Sequence, residues 1–172
     1  SRTDCVMGHL EVLDLIRIFL ILILAYLAYV DLRTFRLPDV ITIPLILAGL
    51  CFNSFSSLRF ISPLESIFGG LVGFLLLWLL NRLYRYIKKQ DGIGMGDAKL
   101  LSSLGAWLGW TALPGILFLA SISGIIGGLI WLKLNKQNHG SAFPFGPFLI
   151  FAGIMELLWP QLLQNLLLSN LS

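Results

Sequence analysis

Residues 94–132 read GMGDAKLLSSLGAWLGWTALPGILFLASISGIIGGLIWL. From position 100 onward this stretch carries no charge. As a single helix the uncharged part would run about 50 Å at about 1.5 Å per residue, against a bilayer hydrocarbon core of about 30 Å. The run therefore has to turn back, and 111–115, with Pro114-Gly115 inside it, is the expected break between a fourth and a fifth span. Its head is equally informative: Gly94-Met95-Gly96-Asp97-Ala98-Lys99 leads an aspartate straight into an apolar segment. An ionisable side chain at membrane depth costs several kcal/mol and marks a candidate functional site.

The rest of the chain fits that reading. Of 172 residues, 57% are hydrophobic and 12% charged, and the mean hydropathy is +0.87. A soluble domain is neither so apolar nor so poor in charge. The expected fold is all-α, a polytopic membrane protein with a bundle of about six transmembrane helices. The other spans are expected at 12–30, ending on Asp31; at 37–52, opening on Leu37-Pro38-Asp39 with Pro44 as a kink; at 62–83; and from near 143 or 148 to 160. Gly69-Gly70 and Gly73 suit close approach of a neighbouring helix. Residues 1–11 read as an N-terminal tail, the first six, ahead of Met7-Gly8, as an appended remnant. Residues 12–160 form the embedded domain, and 161–172 is an apolar tail too short to cross, expected along the interface. Glu11, Asp14 and Arg17 at the entry of the first span, with no small-residue cleavage pattern after it, argue for a retained span rather than a signal peptide.

Charge placement orients the bundle. With Asp31 facing the cytoplasm, the loops on that side carry Arg33, Arg36, Arg82, Arg85, Lys88, Lys89, Lys99, Lys133 and Lys136, leaving Arg2, Arg17 and Arg59 opposite. That bias follows the positive-inside rule, so Asp31 and Asp97 are expected at one cytoplasmic face, with both termini across the membrane. The basic balance reflects topology, and no nucleic-acid partner is implied. Cys5 and Cys51 form no CxxC pair and His9 and His139 are not spaced to help, so neither a metal nor another cofactor is expected.

Asp31 and Asp97 are the candidate catalytic residues. By position alone Asp31 also reads as a helix-ending charge in a solvated turn, and Asp97 as an N-cap after a flexible linker. Asp39, beside Pro38, suits a helix start where a carboxylate favours the dipole. Gly92, Gly94 and Gly96 alternate along the loop, and an extended substrate lying on that backbone would borrow its hydrogen bonds. Gly94, Gly96, Lys99 and Asp39 are therefore the candidate substrate-binding residues, although Lys99 also suits snorkelling or a lipid phosphate. No G-x-x-x-x-G-K-[ST] is present, which removes a phosphate loop. Ser102 and Ser103 read as packing contacts, His139 as solvated, Glu156 as interfacial, and Phe143-Pro144-Phe145-Gly146-Pro147 as a helix start. Two carboxylates a few Å apart share one proton, so that one activates water while the other polarises a peptide carbonyl, a reaction that needs no metal.

At these residues the chain resembles the type IV prepilin peptidases, membrane aspartic peptidases of the GxGD type. The resemblance covers roughly 25–155 and rests on Asp31-Leu32-Arg33, Leu37-Pro38-Asp39 with Pro44, Gly94-Met95-Gly96-Asp97-Ala98-Lys99-Leu100, Gly105-Ala106-Trp107-Leu108-Gly109-Trp110 and Pro144-Phe145-Gly146-Pro147-Phe148-Leu149. It implies that Asp31 and Asp97 are the catalytic pair of an enzyme of the bacterial inner membrane. That enzyme would cut the short basic leader from prepilins or pseudopilins of type IV pili or type II secretion at the cytoplasmic face. Larger members carry a cysteine-containing methyltransferase region, and this sequence has neither that length nor those cysteines, so peptidase activity without methylation is expected. Two other functions stay open: a GxGD protease acting on other membrane helices, and a small proton-coupled transporter or assembly subunit. The bilayer is the other expected partner, and the oligomeric state is open.

Overall fold

The computed structural model describes residues 2–89, 94–135 and 144–160, with Asn165, Leu168 and Ser169 beyond them. Gly92, His139 and Phe143 lie outside the described residues, as does almost all of the expected interfacial tail at 161–172. The described residues form six α-helices: α1 (Arg2–Thr34), α2 (Asp39–Phe55), α3 (Pro63–Lys88), α4 (Met95–Leu108), α5 (Leu113–Asn135) and α6 (Gly146–Leu158), with a 3-10 turn at Trp110–Ala112. Three stretches are long and apolar enough to cross a membrane: Met7–Thr34, Pro63–Lys88 and Trp110–Leu134. The all-α expectation holds, and three of the six helices have the length and composition of a full crossing. α2 has 17 residues, α4 has 14 and α6 has 13. At about 1.5 Å per residue the last two reach only about 20 Å.

Boundaries move for identifiable reasons. α1 passes back through the expected tail and continues a turn beyond Asp31, closing where Phe35 takes φ 54°. α3 starts with a reciprocal cap: the Glu65 amide donates to the Ser62 Oγ at 3.3 Å and the Ser62 amide donates to the Glu65 carboxylate at 3.2 Å. The uncharged run breaks over 109–112, with Gly109 at φ 88° and a 3-10 turn after it, two residues earlier than but overlapping the expected 111–115. Pro114 instead sits in the first turn of α5, where its missing N–H costs no hydrogen bond.

α4 is the hub. Every residue from Leu100 to Trp107 is buried, as is Ala98. α3 packs along it most extensively, and α2 and α6 flank it. The approach to α3 is backbone on backbone: a Cβ on Gly69 would strike the Gly105 carbonyl, one on Gly105 would strike the Gly69 carbonyl, and one on Gly73 would lie 2.6 Å from the Leu101 oxygen. Side chains then tie the helices through polar bonds. Ser66 and Asn53 both donate to the Ala106 carbonyl, at 2.6 and 2.9 Å, Ser102 donates to the Gly70 carbonyl at 2.8 Å, and the Trp107 indole donates to the Leu45 carbonyl at 2.9 Å. Asn53 also accepts from the Phe60 amide at 3.0 Å, pinning the α2–α3 connection. Each such bond replaces an unsatisfied polar group in an apolar surround.

Gly69 and Gly70 make a controlled comparison. An added Cβ at Gly70 meets nothing nearer than Ala106 Cβ at 3.7 Å. Gly70→Ala is expected to leave the thermal midpoint in detergent unchanged. Gly69→Ala, which must push α3 off the α4 backbone, is expected to cost at least about 3 kcal/mol, the upper range for overpacking. Equal midpoints would refute the backbone contact.

Candidate active site

Two helices bring the aspartates together. On α1, Leu20, Leu24, Leu27 and Asp31 follow a spacing of four, three and four, a single stripe, and all four are buried, Asp31 at 5% exposure. The stripe that seats the leucines in the core thus turns Asp31 inward, and the solvated-turn reading does not hold. On α4, Gly94 is the N-cap and Asp97 stands in the first turn, its amide donating to the Gly94 carbonyl at 3.1 Å. Asp97 is therefore not the N-cap but a first-turn residue with its side chain free to face α1.

The meeting point is Gly146, the first residue of α6. A Cβ built there would collide with the Asp31 Oδ2 and lie 3.3 Å from the Asp97 Oδ1. Both carboxylates thus face the space left by one missing side chain. The surrounding cavity, about 390 Å³, is lined by both aspartates together with Phe35, Arg36, Leu37, Asp39, Gly94 to Gly96, Lys99, Pro144 and Phe145. Asp97 lies outside the three long spans, and burial, followed by the charge of Asp31, pushes its carboxyl up to about 7. Such a pair holds one proton between two acids, with an acceptor and a donor side by side.

The expected binding residues divide. Lys99 and Asp39 are joined across the pocket mouth, Nζ to Oδ2 at 2.8 Å, so Lys99 does not reach out to lipid. Partial exposure keeps that pair at about 1 kcal/mol or less, and its evident effect is to tie α4 to the start of α2. Gly96 has a packing use: an added Cβ would sit 3.1 Å from Leu37 Cβ, so the α1–α2 turn rests on this glycine. Gly94 faces open space and supplies exposed backbone to the cavity. Gly146 and Phe35 escaped the sequence reading. The Pro-Phe-Gly-Pro run contained the signal for Gly146, since a glycine between two helix-breaking prolines marks close backbone approach as well as a helix start. Among the described residues no three His, Cys, Asp or Glu side chains gather at one point.

Helices that cross a membrane and two inward aspartates at one end of the bundle define a helical membrane protein with a paired-carboxylate site. A sequence model of the type IV leader peptidase family matches residues 18–129, which include both aspartates, and the chain belongs to that family. Similar proteins are the prepilin leader peptidase/N-methyltransferases of Aeromonas hydrophila, 38% identical over 86% of this chain and 50% of that protein, and of Dickeya chrysanthemi, 40% identical over 76% and 46%. That of Burkholderia pseudomallei strain 1026b is 40% identical over 74% and 41%. The chain spans about half the length, or slightly less, of these relatives. No solved structure matches it.

Gly146→Ala should separate the pair without touching either acid. Once the added methyl displaces the Asp31 carboxylate, Asp97 loses part of what raises its pKa and titrates below its parent value of about 7. A carboxyl-selective infrared or 13C NMR titration reads this directly, and an unchanged Asp97 transition would refute the shared point at Gly146.

Proposed function

We propose that the chain is an aspartic endopeptidase that removes the short basic leader from prepilins or pseudopilins. The observation that carries the proposal is the convergence of Asp31 and Asp97 on Gly146 within an open cavity. One carboxylate takes a proton from water as its oxygen attacks the peptide carbonyl carbon, while the protonated partner donates a hydrogen bond to the carbonyl oxygen. The tetrahedral intermediate collapses as the C–N bond breaks, the leaving nitrogen takes a proton from the acid, and the two new termini depart. The dyad thereby returns to a single shared proton.

Family membership supports prepilins as the substrate class, and the relatives' names give prepilin leader cleavage as their reaction. The methyl-transfer half of those names forms no part of this reading, which concerns hydrolysis by the residues around Asp31 and Asp97. Exposed Gly94 backbone at the cavity rim suits an extended leader junction, and the Asp39–Lys99 pair frames the same opening. The bias of basic residues supports a site facing the cytoplasm of a bacterial inner membrane. A proton-coupled carrier is disfavoured because both aspartates sit at one end of the bundle rather than along a path through it.

Asp31→Asn and Asp97→Asn are each expected to lower leader removal from a co-expressed prepilin at least about 10³-fold, in line with loss of a general acid or base, at unchanged membrane level. Parent-like processing by either variant would remove the pair from catalysis. The pH profile carries a sign. Asp97's pKa is raised, so the proton that the dyad needs is held below about 7 and lost above it. Single-turnover cleavage is expected to fall as pH rises through that value, and a rate still climbing well above it would count against Asp97 as the acid.

A further inference from the structure

We propose that the open groove between α1 and α2 seats the apolar helix of the substrate, the segment that begins just after the scissile bond; this rests on the peptidase reading. α1 and α2 follow one another in sequence but have different partners: α1 packs on α6, while α2 packs on α4 and α3. The splay leaves a cavity of about 350 Å³ walled by Phe19 and Ile23 of α1 and by Val40, Pro44 and Ala48 of α2, with Trp107 of α4 as part of its floor. Its lining carries no charged residue, and Phe19 and Val40 are exposed at 64% and 84%.

The groove continues the active site. Leu37 and Asp39 line the catalytic cavity, and the next residues on α2, Val40 and Ile41, line the groove. On α1, Asp31 lies eight residues above Ile23 and fifteen above Ile16, so at about 1.5 Å per residue the groove reaches about 12 to 22 Å below the aspartates. A peptide cut at Asp31 and Asp97 and continuing as a helix would therefore lay its third and fourth turns along the α1 wall of this groove. Trp107 is fixed there by its bond to Leu45 and by close contact with Gly49, which gives the incoming helix a rigid face.

Charge at the mouth distinguishes this occupant from a lipid. With one proton shared by Asp31 and Asp97, the remaining charge of that pair and the charge of Asp39 balance Arg36 and Lys99 around the catalytic cavity. A phosphate headgroup meets no net positive charge there, whereas a peptide cut at the pair and continuing as an apolar helix leads from the mouth into the groove.

Ala48 is the smallest wall residue and is exposed, so enlarging it fills the groove without disturbing the core. The test uses the full chain in detergent micelles with two probes: a prepilin bearing its apolar helix, and a soluble peptide with the same leader junction and no helix. Ala48→Phe is expected to slow cleavage of the prepilin at least tenfold and to leave the short peptide at parent rate. Parent-like cleavage of both, or equal loss on both, overturns the groove assignment. A parent chain that cuts neither overturns the peptidase reading and the assignment with it. A photo-cross-linking residue at Phe19, placed in the Asp97→Asn chain, supplies an answer independent of turnover. Capture of the uncut prepilin's helix is expected, and capture of lipid or of a second copy alone overturns the proposal.

Discussion

The backbone contact between Gly69 of α3 and Gly105 of α4 is the constraint on which the rest depends. α4 is short and buried along most of its length, so contacts with neighbouring helices fix its place. Lipid tails are as apolar as leucine, so burial of leucines does little to draw helices together in a membrane, and close packing with a few polar bonds has to do so. Three glycines of these two helices permit the approach, the hydroxyls of Ser66 and Ser102 fasten it, and the amide of Asn53 ties α2 to the same α4 carbonyl as Ser66. Only with α4 locked in rotation and height does Asp97 face α1.

The second half of the site depends on the same economy of side chains. Asp31 is held inward because it shares a stripe with Leu20, Leu24 and Leu27. Room for its carboxylate next to Asp97 exists because α6 opens with a glycine. Charge repulsion that would otherwise drive the two acids apart is relieved when one of them keeps a proton, which is the state that acid-base hydrolysis requires. Packing and reactivity therefore call for the same geometry, and neither carboxylate carries a catalytic reading without the other.

Much of this was legible in the chain. The uncharged run from 100 onward demanded a turn, the apolar composition demanded a helical bundle, and the two aspartates stood out against an apolar background. Periodicity was no guide to which side of α1 faces inward, because exposed residues such as Leu15 and Leu22 are as apolar as the buried ones. The end of α4 was equally hard to read, because α4 runs into α5 without a charge and a glycine at φ 88° leaves no hydropathy signal. The Ser62–Glu65 cap was readable as S-x-x-E and fixes the start of α3. Gly146 was visible as a breaker, but its use as clearance for two carboxylates depends on a tertiary contact more than a hundred residues from Asp31.

Short helices also explain how water reaches buried acids. Met95, at the start of α4, shares a cavity with Trp78, Asn81, Arg82 and Arg85 of α3, whereas α3 itself continues to Lys88. α4 thus begins about a turn or more below the end of its neighbour, and Asp97 with it. α3 rises past the recessed start of α4, beside Met95, which also lines the cavity that holds the aspartates. The recessed start of α4 sets Asp97 beside an open cavity and yet buried enough to favour its protonated form.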